Sequence, residues 1–247
     1  MGLTIHYELR LPGETSDTAA VHYLQRLHNH AVTLGPKGIC PVLTFSGAEL
    51  SAPDDTWEGG TVEWLVHIFT DVMRKYRDGV VEDIADGDRL AAAAFVVYPG
   101  EGTESATFGL VRPLLTEAPT NLEDDDNAAW RHWYWQTFCK TQYASAVSEV
   151  HFVSCHRMVI DLLDEARRIG FEVTVHDEGQ YWETRDAEVL LTEVRNANRI
   201  IAHFAGALHD AISPEHSVQA EIFAHPEFEH LEMERIERNG DDYSSDV

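Results

Sequence analysis

The stretch WYWQTFCKTQYASAVSEVHFVSCHRMVIDLLDEARRIGFEVTVHD, residues 133–177, decides how the rest of the chain is read. Trp133, Trp135, Thr137, Cys139, Thr141 and Tyr143 alternate with the residues between them, the period-2 pattern of a strand with one buried face. A helix over 148–169 follows. Within it Phe152, Cys155, Val159, Leu162, Leu163 and Ala166 recur every three or four positions and form a core-facing stripe. Gly170 stops the helix, and Phe171, Val173 and Val175 alternate again. The order is strand, helix, strand.

The chain opens with the same order. Leu3, Ile5, Tyr7, Leu9 and Leu11 alternate as a half-buried strand should, and Ser16 or Asp17 caps a helix running to about residue 34. Its stripe is Ala20, Tyr23, Leu24, Leu27, Ala31 and Leu34; Gly35, Pro36 and Gly38 stop it, and 41–45 reads as a second strand. These passages, 1–45 and 131–177, predict an α+β (or α/β) fold in which two β-α-β units contribute to a mixed sheet covered by helices, in the manner of a duplicated ferredoxin-like arrangement. Between them the pattern gives a helix at 61–76 and a hairpin whose strands, 91–98 and 106–112, flank PGEG at 99–102. A long helix over 185–211 follows, with Leu190, Val194, Ala197, Ile201, Phe204 and Leu208 as its stripe. One domain is expected over 1–225, then an acidic tail over 226–247 whose end, DDYSSDV, is expected to be disordered.

Composition bounds what this fold does. A chain of 247 residues, 44% of them hydrophobic, buries a sizeable core. It has no apolar run near the roughly 20 residues that cross a bilayer, and residues 1–11 lack a basic start and a continuous apolar run, so a cytoplasmic location without membrane attachment is expected. Cys40, Cys139 and Cys155 are odd in number and have no CxxC spacing, which points to reduced, buried thiols.

Charge is the strongest compositional signal. Forty-three acids oppose 18 bases for a net charge of −25, and Lys37, Lys75 and Lys140 are the only lysines. Such a surface repels itself, and concentrated salt relieves the repulsion because the Debye length falls to about 3 Å at 1 M. The composition fits a halophilic protein; the alternative is an ordinary acidic protein whose genome favours arginine over lysine. Either way it disfavours nucleic-acid backbones and anionic membranes, leaving a protein partner or self-association.

Fourteen histidines invite a metal reading, since imidazole is a common ligand of transition metals. HExxH is absent, HNH at 28–30 lies on a helix without the ββα context of a nuclease, and His22, His67 and His203 fall opposite their helices' stripes. HPEFEH at 225–230 gathers two histidines and two acids with no regular element to organise them. His156 stands apart, at the edge of its stripe near the helix start, toward which the next strand returns with His176, Asp177 and Glu178 at its end. Ligands in α/β units gather at the carboxyl ends of strands. His156, His176 and Asp177 are therefore the candidate ligands of a divalent metal, with Glu178 the candidate general base toward a bound water.

The same residues also suit a hydrogen-bonded cluster that pins strand to helix. Thr184 or Asp186 can cap the following helix and Gly179 can supply the turn, but capping leaves Tyr181 and Trp182 unexplained; they cover the sheet end, with Trp182 as the shield, or wall a pocket. PGEG joins antiparallel strands and is followed by no lysine, so it is not read as a phosphate cradle. WRHWYW at 130–135 suits core packing better than stacking on bases or sugars.

GLTIHY at 2–7, FCKTQYAS at 138–145 and DEGQYWETRD at 177–186, together about a tenth of the chain, resemble a set of uncharacterised microbial proteins, a resemblance that implies no activity or ligand. Two function classes follow from the residues. The first is a cytoplasmic, non-catalytic binding or assembly protein with no cofactor, favoured by the lack of a catalytic signature. The second is a metal-assisted hydrolase centred on His176.

Overall fold

The computed structural model describes residues 3–12, 14–46, 90–113 and 133–211, together with Ile222 and His225. The helix read at 61–76, His67 and the tail 226–247 lie outside the described residues.

Both main helices begin and end as their sequences dictate. In α1 (Asp17–Thr33) the Ser16 side chain accepts from Ala19 N, and Ala20, Leu24, Leu27 and Ala31 are buried. In α2 (Glu149–Ile169) Ser148 accepts from His151 N at 3.1 Å, and Gly170 leaves the helix in the left-handed region at φ 116°, where a side chain would be strained. Arg167 and Arg168 sit in its last turn, where the helix dipole favours cations.

Among the described residues seven strands form one sheet: β1 (Thr4–Leu11), β2 (Gly38–Ile39), β3 (Leu43–Ser46), β4 (Leu90–Tyr98), β5 (Ala106–Pro113), β6 (Trp133–Lys140) and β7 (Glu172–Asp177). Their order is β2-β4-β5-β6-β1-β7, with β3 also on β4, and every described pairing is antiparallel. The fold class is α+β. Since β6 and β7 both run antiparallel to β1, they run parallel to each other with β1 between them, and α2 carries the chain across it.

The order β5-β6-β1-β7 is ferredoxin-like, and among the described residues it occurs once. The first passage does close in strands parallel to β1, but β2 and β3 pair with β4 at the far side of the sheet. The reason is occupancy: β6 covers one edge of β1 from Thr4 to Leu11, and β7 covers the other from Ile5 to Arg10, so β1 has no edge left for them.

Ile5, Tyr7, Leu9 and Leu11 are buried with Trp133, Trp135 and Cys139, while His6 and Arg10 between them are exposed. The stacked rings of Tyr7, Phe108 and Phe95, centroids 5.4 Å apart in each pair, continue this layer across β5 to β4. A Cβ on Gly109 would come within 2.7 Å of the Trp135 ring, so glycine is what lets the indole lie on β5.

Two boundaries differ from the periodicity. The strand read through Tyr143 ends at Lys140, and Gln142–Ala146 forms a 3-10 turn. The final helix, α4 (Ala187–Ala211), starts two residues later than read, and Arg185 at φ 57° divides it from a separate short helix, α3 (Tyr181–Thr184). Leu190 and Val194 of the expected stripe are buried, but Phe204 is 62% exposed beside Ile200 at 54%. A stripe spaced at 3.5 residues drifts about 20° per heptad around a straight helix, so Asn198, Ala202 and Ala205 take the inward positions instead. Among the described residues no helix is long and apolar enough to cross a membrane.

Candidate functional site

Three chain segments close the sheet at the amino end of β1: Leu3 and Thr4, Thr141 to Ser145 after β6, and Asp177 to Gly179 after β7. Strand pairing brings them together, and each carries polar groups that must find partners away from water. At their centre His156 Nε2 stands 3.1 Å from Asp177 Oδ2, and both side chains are fully buried. His156 Nδ1 lies 2.8 Å from Thr141 Oγ1, and Thr141 is itself buried. With Nε2–H directed at the carboxylate, Nδ1 accepts the Thr141 hydroxyl proton, a tautomer assigned by the partners.

Asp177 is saturated. Its Oδ1 accepts from Gly179 N at 2.8 Å, and Oδ2 accepts from Trp182 N at 2.9 Å as well as from His156. These bonds hold the turn into α3, in which Gln180 takes φ 57°. Burial works to raise the Asp177 pKa, but the hydrogen bonds from His156 and from the two backbone N–H groups outweigh it and hold the carboxyl below its usual range.

A second buried network joins the same corner to α4. Gln142 Oε1 accepts from Leu3 N at 2.8 Å and its Nε2 donates to Asn198 Oδ1 at 2.8 Å, while Asn198 Nδ2 donates to Ser145 Oγ at 3.0 Å. Asn198 Nδ2 also lies 3.4 Å from His225 Nε2. Gly179 completes the closure by close approach: a Cβ there would meet Leu190 Cδ1 at 2.6 Å and Leu3 Cδ2 at 2.9 Å.

Of the candidate ligands, the structure unites His156 with Asp177 but leaves His176 elsewhere. Successive residues of a strand point to opposite faces, and His176 is exposed, opposite His6, with ring centroids 6.0 Å apart. Glu178 shares that open side: its Oε2 accepts from Thr4 N at 2.9 Å, and its Oε1 lies 3.9 Å from His6 Nε2. The candidate base thus extends the β1–β7 pairing. Among the described residues no group of three or more His, Cys, Asp or Glu could share a metal ion.

The aromatic pair closes the site. Tyr181, 8% exposed, sets its ring edge-on to His156 at 6.2 Å, and Phe152 flanks the imidazole at 5.7 Å. The shield is therefore Tyr181, whereas Trp182 contributes its backbone N–H and lies between the guanidinium groups of Arg167 and Arg185, each 4.7 Å from its ring. Arg185 in turn makes two bonds to Asp164, at 2.6 and 2.9 Å.

Thr141, His156 and Asp177 reproduce the hydroxyl, imidazole, carboxylate order of a nucleophilic relay. A nucleophile must meet its substrate, and this hydroxyl is 0% exposed behind Tyr181. The arrangement therefore ties the ends of β6 and β7 to α2. Two of the three thiols are equally enclosed, Cys40 being only half-buried: burial first, then the Glu104 carboxylate and Cys155, push the Cys139 thiol far up, and burial raises Cys155. Cys155 Sγ lies 3.5 Å from His151 Nε2, but that nitrogen donates to Glu101 O at 2.9 Å and cannot take the thiol proton. PGEG docks here, since a Cβ on Gly100 would come within 2.6 Å of Cys155 Sγ.

HNH is also part of the packing: His28 sets its ring edge-on against Phe95 at 5.3 Å. Sequence reasoning singled out His156 and Asp177 and missed Thr141, Gln142, Ser145 and Asn198. Their signal was a run of small polar residues where a strand was expected to continue and, for Asn198, one polar residue amid an apolar helix. No protein-family model, curated protein or solved structure matches the chain.

Proposed function

We propose that the protein is a non-catalytic binding or assembly protein that meets a protein partner on the acid-poor part of its helical layer. The observation that carries this reading joins charge to exposure. Residues 18–48 and 150–160 contain no Asp or Glu, in a chain that has 43 of them. These runs supply α1 after its first residue and about three turns of α2 after Glu149. Where they meet lies a depression of about 320 Å³, lined by Leu34, Val150, Val153 and Met158 together with the polar Ser154, Arg157 and Asp161. Val150 is 82% exposed and Val32 52%. Interface centres are depleted of acids and enriched in apolar groups, with polar residues at the rim.

The alternative, metal-assisted hydrolysis around His176, would need His176 and Asp177 on one side of a strand. Their pleat separates them.

Immobilised protein tests the reading in two arms. The wild type should retain a partner from its own cells that Val150→Glu loses, with both proteins equally folded by circular dichroism; equal retention would overturn the docking face. Elemental analysis of untagged protein should find no stoichiometric divalent metal. One equivalent of metal, lost in His176→Ala, would overturn the non-catalytic reading.

A further inference from the structure

We infer that the partner on this face is a second copy of the chain, the α1 and α2 surfaces of two molecules meeting about a two-fold axis. This rests on the binding face proposed above and commits it to one occupant. The first argument is electrostatic. Two bodies of charge −25 repel at every approach that opposes carboxylates, and pairing two acid-poor surfaces, on which Asp161 is accompanied by Arg157, reduces the contact part of that repulsion.

The second argument is self-complementarity. A two-fold interface uses one patch twice, so the patch must satisfy itself. Arg157 and Asp161, one turn apart on α2, line the same depression with opposite charges, so the guanidinium of each copy can meet the carboxylate of the other. Val150 and Val153 of α2 and Leu34 at the end of α1 supply apolar contact beside them.

Salt separates this occupant from an anionic partner. An acidic protein drawn to Arg26, Lys37 and Arg157 would bind more weakly as salt screens the attraction. Two copies of charge −25 face long-range repulsion that outweighs two exposed Arg157–Asp161 contacts, so their association strengthens with salt.

Sedimentation equilibrium of the full chain, from about 0.1 M to about 2 M potassium chloride, provides the test. A monomer–dimer equilibrium shifting toward dimer with salt is expected. Val150→Glu should weaken it at least about tenfold, and Ile200→Glu, on the exposed side of α4, should leave it unchanged. Arg157→Asp and Asp161→Arg should each impair self-association, and an equimolar mixture of the two should recover it as a heterodimer. A monomer at every salt concentration, or a dimer indifferent to Val150→Glu, would overturn the second copy as partner. In either case the binding face stands if Val150→Glu still abolishes retention of another protein, and falls with this inference if it does not.

Discussion

His156 Nε2 and Asp177 Oδ2 lie 3.1 Å apart with neither side chain reaching solvent, so the bond joins the second turn of α2 to the last residue of β7 inside the protein. It fixes where β7 ends, because the same carboxylate holds the N–H groups of Gly179 and Trp182. Its strength is therefore a stability question.

The Asp177 carboxyl is held below its usual range despite burial, so its contribution is present above the unfolded-state value of about 3.9 and is lost as pH falls through the lower folded value. We expect urea stability to be flat in this group's contribution near neutrality and to fall below about pH 4. Asp177→Asn, which cannot accept from His156, Gly179 and Trp182 together, should cost about 3 kcal/mol at pH 7 and flatten the acid limb. A variant as stable as the wild type at pH 7 would mean the pair contributes nothing net.

Thr141→Val keeps the shape of the side chain and removes its hydroxyl, leaving His156 Nδ1 without its 2.8 Å partner. A loss of about 1–3 kcal/mol in urea unfolding is expected, with Thr141→Ser recovering most of it. Equal losses in both variants would assign the effect to packing of the methyl group.

Much of this corner was legible in the sequence and some was not, for physical reasons. The β6-α2-β7 order followed from period and caps, and the return of β7 to the start of α2 followed from an antiparallel helix, which placed Asp177 beside His156. His176 neighbours Asp177 in sequence but not in space, because the alternation of the strand sends the two side chains to opposite faces. Which strands pair with β1 was not legible, since a crossover helix fixes direction but not which neighbour a strand finds. The inward turn of Asn198 depended on a drift of the α4 stripe that a heptad pattern cannot show.

His176→Ala separates the two readings of the strand end. The ring is exposed on the open face, so its removal should change stability by less than about 0.5 kcal/mol. A loss comparable to that of Asp177→Asn would place His176 in the buried network after all.

Gly102 sits at φ 77°, and a Cβ there would clash with the backbone of Tyr143 between its carbonyl and Ala144 N. Gly102→Ala should therefore destabilise by about 1–3 kcal/mol, more than a surface substitution. Gly35→Ala makes the control, since it shares a positive φ of 66° but meets nothing within 4 Å. Its cost should be smaller, about 1 kcal/mol of backbone strain. If both cost the same, conformation alone would account for Gly102 and its close approach to Tyr143 would carry no weight.

The last prediction concerns the acid surface as a whole. With 43 acids against 18 bases, the folded chain concentrates charge that the unfolded chain spreads out, so the folded state gains more from screening. Exposed ion pairs such as Arg195 with Glu149 and Arg185 with Asp164 weaken under the same screening, but each is worth only about 0.2–1 kcal/mol. The general repulsion should win. The melting temperature should rise as potassium chloride goes from about 0.1 M toward about 2 M, most steeply at first, where the Debye length shortens from about 10 Å toward 3 Å. Sodium sulfate at equal ionic strength should raise it further, since that salt also strengthens apolar burial. A melting temperature that is flat or falls in potassium chloride would show that the acids are spaced widely enough to need no screening, and the charge would then reflect composition and not adaptation to salt.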